Sequence, residues 1–261
     1  MAVSSLLLIG LLVVIILMTL TLLLSVKVEN FGIVDATWSL SFLVQALFFF
    51  FLADGYEPRK WLLLITVGLW SFRLGYYLTK RIYSHHPHED TRYIALREDY
   101  GQNYRFRFFI FFMLQAFSVS LLTFPLIFAF TNQNPEIHLL EYLGVAVWAL
   151  ALIGESIADK QLNSFKTNPL NRGKTCDVGL WKYSRHPNYF FESVIWWGYY
   201  LMLLGAGNIY WGIYSPLIIL FILLKVTGVP PSEAQALKSR GDEYRRYQET
   251  TSVFVPWFPK K

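Results

Sequence analysis

Seven apolar runs, each close to the length that crosses a bilayer, recur along this chain at about 4–25, 32–53, 61–82, 106–130, 137–160, 188–206 and 209–227. A span needs roughly 20 apolar residues. In hydrocarbon the backbone satisfies its own polar groups only as a helix or a closed barrel, and runs this continuous select the helix. The expected fold is therefore all-α and integral to the membrane, a seven-transmembrane-helix bundle forming a single domain over 1–261. Composition agrees: 16% of residues are charged, against roughly 25% in soluble domains. The first run has no basic residue before it and no small-residue cleavage pattern after it, so it reads as a mature span.

Basic residues give the orientation. Of 23 Lys and Arg, 20 lie in the connections after odd-numbered runs, at the run ends that border those connections, or in the tail. Only Arg59 and Lys60 lie on the opposite side, and Arg73 falls inside the third run. Because cytosolic loops carry the excess of Lys and Arg, the N terminus is expected outside and the C terminus in the cytosol. The net charge of +5 then reflects sidedness, with some residues meeting anionic headgroups, and nucleic-acid binding is not indicated. The cytosolic connections, 83–105, 161–187 and 228–261, are long, whereas 54–60, 131–136 and 207–208 are short. Polar chemistry is concentrated on one face of the membrane.

The densest chemistry is Ser184-Arg-His-Pro-Asn-Tyr-Phe-Phe-Glu192. Pro187 suits a first helical turn, where free N–H groups beside Arg185 and His186 favour an anion. Asn188 and Glu192 share one helix face, as do Glu155 and Asp159 in the fifth run. Carboxylates and a cation (Arg73) inside spans are functional candidates by default, although Arg73 pairing with Asp35 or Glu155 merely to hold the bundle would explain them too. Lys166, Arg172, Lys174 and Arg185 could surround several phosphates, while interleaved Asn and Tyr residues, among them Tyr183 and Tyr189, could meet ribose and base.

Several motifs are excluded. Gly173-Lys-Thr lacks the upstream glycine and strand of a P-loop, and no G-x-G-x-x-G occurs. The lone Cys176 supports neither a disulfide framework nor a zinc site. His85, His86 and His88 read as a solvated loop, and no metal is expected. His138 reads as structural. The tail helix over 232–249 is interrupted at Gly241, and Phe254-Val-Pro-Trp-Phe-Pro reads as an aromatic segment docking on protein or at the bilayer interface.

Taken together, Val-Asp-x-x-Trp at 34–38, Trp-Ser-Phe-Arg-Leu-Gly at 70–75, Glu-Asp-x-Arg-Tyr at 89–93, Glu155-x-x-x-Asp159, Gly179 to Tyr189 with Glu192, and Glu243-Tyr-Arg-x-Tyr resemble the steroid 5-alpha-reductase-like integral membrane oxidoreductases, especially their bacterial branch. The Arg-His-Pro element is also similar to that of isoprenylcysteine methyltransferases and sterol reductases. The resemblance implies a bundle in a bacterial inner membrane that takes NADPH from the cytosol. It would reduce a carbon–carbon double bond conjugated to a carbonyl in a lipophilic substrate entering from the bilayer. It assigns Asp159, Asn188, Glu192 and the basic 164–185 loop to the cofactor, with Trp38 and Arg73 deeper and Tyr244 from the tail. It departs where steroid-reducing members carry a Gln/Glu pair and a Tyr, since this chain has Ser41-Phe42 and Trp70; a steroid substrate does not follow.

The expected reaction is hydride delivery to the β-carbon of an enone while a donor stabilises the enolate oxygen. Tyr76, Tyr77 and a protonated Asp35 are the candidate donors, with Glu192 beside them as a catalytic candidate. Two other readings remain: a methyltransferase using S-adenosylmethionine, which has no phosphate to occupy the basic loop, and a non-enzymatic lipid-binding or transport protein, against which the absence of duplicated halves argues.

Overall fold

The computed structural model describes residues 1–85 and 88–260. Its helices are α1 (Val3–Val28), α2 (Ile33–Leu52), α3 (Glu57–His85), α4 (Thr91–Tyr100), α5 (Tyr104–Thr131), α6 (Leu139–Thr167), α7 (Pro187–Gly207), α8 (Tyr214–Lys225), α9 (Val229–Arg240) and α10 (Asp242–Thr250). Among the described residues there is no strand. Six helical stretches are long and apolar enough to cross a membrane: Val3–Val28, Ile33–Leu52, Glu57–Ser84, Thr91–Thr131, Leu139–Thr167 and Tyr210–Arg240. The chain is thus all-helical and of multi-pass membrane character. α7 is not among the six. Its 21 residues are long enough, but Asn188, Glu192 and four Trp and Tyr side chains at 196–200 lower its mean hydropathy.

The chain divides into two compact units, Met1–Ile137 and His138–Lys261. In the first, α1 and α2 run antiparallel, with Thr21 and Thr37 hydroxyls 3.0 Å apart. α3 packs on α2, where Ser71 donates to the Ser39 carbonyl at 2.5 Å. α5 runs beside α2, and buried Gln45 is held by Ser120 and Thr123. Ser41 and Trp70 are fully buried, and Trp70 meets Phe42 edge-on at 5.1 Å. These positions serve as core here. Arg59, 1% exposed, donates to the Asn134 carbonyl at 2.9 Å and to that of Glu136 at 2.5 Å, fastening the 132–136 connection.

In the second unit α6 and α7 form an antiparallel pair along most of their length. His138 caps α6, accepting from Leu140 N–H at 3.2 Å while Glu141 accepts from His138 N–H at 2.8 Å, a reciprocal capping box. Glycines let the backbones touch: a Cβ on Gly144 would lie 2.7 Å from the Gly198 carbonyl, and one on Gly198 would lie 2.9 Å from Trp148 N. Further along, Gly154 packs on the Phe191 ring. Close approach through small residues is how helices associate without a hydrophobic driving force. Gly198→Leu is expected to cost about 1–3 kcal/mol by overpacking, read as a lowered melting temperature of the purified protein in detergent. A variant as stable as the parent would show that the contact is not tight.

Candidate functional site

The site begins where the α6–α7 pair opens into the long loop that joins them. Near the end of α6, Glu155 and Asp159 lie one turn apart on one face. Opposite, Pro187 occupies the first turn of α7 and places Asn188, Glu192 and Trp196 at successive turns. Asn188 Nδ2 donates to Asp159 Oδ1 at 3.3 Å, and Trp196 Nε1 donates to Glu192 Oε1 at 3.0 Å. The bond to the carboxylate sets the orientation of the Asn188 amide. Its Oδ1 is then buried with no hydrogen-bond partner. Buried polar atoms are nearly always satisfied, so this orphan acceptor, among carboxylates, is matched to a ligand bringing N–H or O–H groups: ribose hydroxyls, a carboxamide or an ammonium.

The loop folds back over this seam. Gln161 on α6 accepts from Leu180 N–H at 2.9 Å, and Trp181 Nε1 donates to the Ala158 carbonyl at 2.9 Å. Gly179 has φ +59°, and a Cβ there would lie 2.4 Å from the Gln161 amide, so only glycine allows this crossing. Thr175 N–H donates to Glu243 of α10 at 2.8 Å. Cys176 is buried behind it, and burial pushes its thiol pKa up. Lys166 in the last turn of α6 and Arg172 and Lys174 on the loop are exposed.

α9 and α10 clamp the start of α7. Arg185 donates from Nε to Glu233 Oε1 at 2.7 Å, and from Nη1 to the carbonyls of Gln248 and Thr251 at 2.9 and 2.6 Å. Glu233 also meets His186 Nε2 at 3.2 Å and accepts from Gln248 Nε2 at 2.8 Å. His186 stacks on Tyr189 with centroids 5.4 Å apart, and the Tyr189 and Ser232 hydroxyls lie 3.0 Å apart. Tyr244 reaches toward Glu233 at 3.5 Å; burial, then the nearby carboxylate, pushes its phenol up to about 12. Tyr247 bonds the Trp181 carbonyl. Arg185, expected to hold a phosphate, is thus largely committed to protein groups, and Glu233 is the partner that sequence reasoning missed. No local signal could have revealed a pair 48 residues apart.

Apart from Tyr183, the remaining expected site residues lie in the first unit. Asp35 accepts from the Tyr93 hydroxyl at 2.6 Å and from Arg92 at 3.0 Å, so it serves an ionic contact at the start of α2. Burial alone would raise the Asp90 pKa, but bonds from Arg92 and the charges of Arg92 and Arg81 hold it below the usual range. Trp38 Nε1 donates to Ser118 at 2.9 Å, and Arg73 is half-buried on α3. Tyr76 and Tyr77 are 61% and 38% exposed, and Tyr76 stacks on Phe72 at the surface of this unit. Tyr183 is 37% exposed, edge-on to Phe258 at 6.1 Å. Of the histidine cluster, His86 lies outside the described residues, as does the terminal Lys261. Among the described residues no group of His, Cys, Asp and Glu is arranged to hold a metal ion.

Fold and site together define a multi-pass helical membrane protein with an acceptor-lined seam under a basic loop. The model of a family described as a protein of unknown function, DUF1295, matches residues 21–251, and the chain belongs to that family. It is 26% identical to an uncharacterized protein of Schizosaccharomyces pombe, across 89% of this chain and 74% of the relative. A shorter similarity, 36% identical over 67 residues, covers 26% of this chain and 23% of a probable O-methyltransferase, ustE, of Ustilaginoidea virens. No solved structure matches.

Proposed function

We propose that this protein is a membrane-embedded oxidoreductase of the steroid 5-alpha-reductase-like kind, which uses NADPH to reduce a carbon–carbon double bond conjugated to a carbonyl in a lipophilic substrate. The observation that carries the reading is the buried, unpartnered Asn188 Oδ1 in a seam of carboxylates crossed by a loop whose Arg172 and Lys174 are exposed. A dinucleotide suits both halves, because it brings hydroxyl and carboxamide donors at one end and phosphates at the other. Asp159, Asn188 and Glu192 would accept from those donors, and Lys166, Arg172 and Lys174 would face the phosphates as the loop excludes water. When bound, NADPH supplies the hydride. The motifs shared with the reductases, spread from Val34 to Tyr247, support the same class.

The topology in this proposal has seven spans, because α7 runs alongside α6 and traverses the same depth despite its aromatic composition. The basic connections then face the cytosol, where NADPH is available, and the N terminus faces outward across an inner membrane.

A second reading rests on the same acceptors. S-adenosylmethionine carries an ammonium and a sulfonium that carboxylates favour, and one partial relative is named a probable O-methyltransferase. The exposed basic loop favours the phosphate-bearing cofactor. Titration of the purified protein with NADPH, NADH and S-adenosylmethionine, followed by tryptophan quenching, decides between them. NADPH is expected to bind more tightly than NADH, and Arg172→Ala or Lys174→Ala to erode that preference. Binding of S-adenosylmethionine with no response to NADPH would replace the first reading by the second.

A further inference from the structure

The tail after α10 alternates between protein and surroundings. Phe254 is 7% exposed and meets Phe190 edge-on at 5.9 Å, and its carbonyl accepts from Ser184 Oγ at 2.7 Å. Around it Val253, Val255, Trp257 and Phe258 are exposed by 40%, 55%, 69% and 76%. Two backbone bonds hold this strap down: Trp257 N–H to the Tyr183 carbonyl at 2.9 Å and Lys260 N–H to that of Thr250 at 2.8 Å. Tyr183 lies four residues before Pro187, so the strap sits at the level where α7 begins. Order without burial of large aromatics calls for a covering.

Between strap and α10 lies a cavity of about 390 Å³, with Arg185, Gln248, Glu249, Ser252, Trp257 and Lys260 among its lining residues. With Nε and Nη1 of Arg185 committed, its Nη2 is the donor left for an occupant. Lys260 adds a second cation and Ser252 a hydroxyl, while Glu249 offers an acceptor for a headgroup hydroxyl. The apolar fringe is what an aqueous anion would not need and what a lipid does.

We propose that the C-terminal strap is a docking site for an anionic phospholipid, whose phosphodiester lies between Arg185 and Lys260 while Trp257 and Phe258 enter the bilayer interface beside its acyl chains. Trp and Phe at that depth and Lys against an anionic leaflet are both favourable. The site is separate from the α6–α7 seam and does not depend on the cofactor reading.

The test uses the full chain in nanodiscs and detergent, with phosphatidylglycerol, phosphatidylcholine and inorganic phosphate as probes. Native mass spectrometry is expected to retain phosphatidylglycerol in preference to phosphatidylcholine, with inorganic phosphate failing to displace it. Lys260→Ala is expected to weaken retention about fivefold, the contribution of one surface lysine, and Trp257→Ala to weaken it as well. Both side chains are exposed, so neither change threatens folding. Equal retention of the two lipids, displacement by phosphate alone, or unchanged retention in both variants would each overturn the proposal.

Discussion

Replacing Glu233 with alanine is expected to destabilise the second unit more than any other single change to its polar groups, by about 3 kcal/mol or more, because it leaves a partly buried cation without its counter-charge. Arg185 has 10% of its side chain exposed and Glu233 17%, so water replaces the lost partner poorly. One carboxylate also gathers His186, Gln248 and Tyr244, and all of these contacts fail together. Glu233→Gln keeps the shape and one acceptor, and should recover part of the loss. Melting in detergent gives the magnitude, and hydrogen exchange locates it, with α9, α10 and the 184–189 turn opening first. If α10 stays protected in the alanine variant, the clamp is held by apolar packing such as Tyr244 on Tyr247, and Arg185 is incidental.

This dependence explains which parts of the molecule were legible in the chain. Helix positions were readable because apolar runs and bilayer thickness leave few options, and Pro187 announced the start of α7 by its missing N–H. The short α4, Thr91–Tyr100, was not seen, because ten largely polar residues carry no span signal and its cap, Asp90 accepting from Arg92 N–H, resembles ordinary loop sequence. In the sequence, Val-Asp-x-x-Trp and Glu-Asp-x-Arg-Tyr are separate motifs. The structure joins them, since Asp35 receives both Tyr93 and Arg92.

The seam was legible in part. Four-residue spacing put Glu155 with Asp159 and Asn188 with Glu192, but only the antiparallel register of α6 and α7 brings Asn188 to Asp159. Spacing within one helix says nothing about its neighbour. Arg185 shows the opposite failure. A cation before a helix start invites an anion, and a carboxylate of the chain itself answered. The basic loop was read by charge alone, and its Arg172 and Lys174 are exposed.

Asn188→Leu is expected to lower NADPH affinity by roughly 10- to 100-fold, the effect of leaving a buried ligand donor facing a methyl group. Leucine is close to asparagine in size, and in the protein without ligand it removes an acceptor that has no partner at the loss of one 3.3 Å bond to Asp159. Stability should therefore change far less than affinity. That split between folding and binding separates a ligand group from a structural one. Asp159→Asn provides the companion measurement: it keeps an acceptor facing Asn188 while removing charge, so a ligand bringing an ammonium should suffer more from it than one bringing hydroxyls. Binding titrations of both variants with NADPH and S-adenosylmethionine, beside their melting curves, give the answer. Were Asn188→Leu to melt early and bind NADPH as the parent does, the seam would be a packing device and the cofactor would have to lie elsewhere.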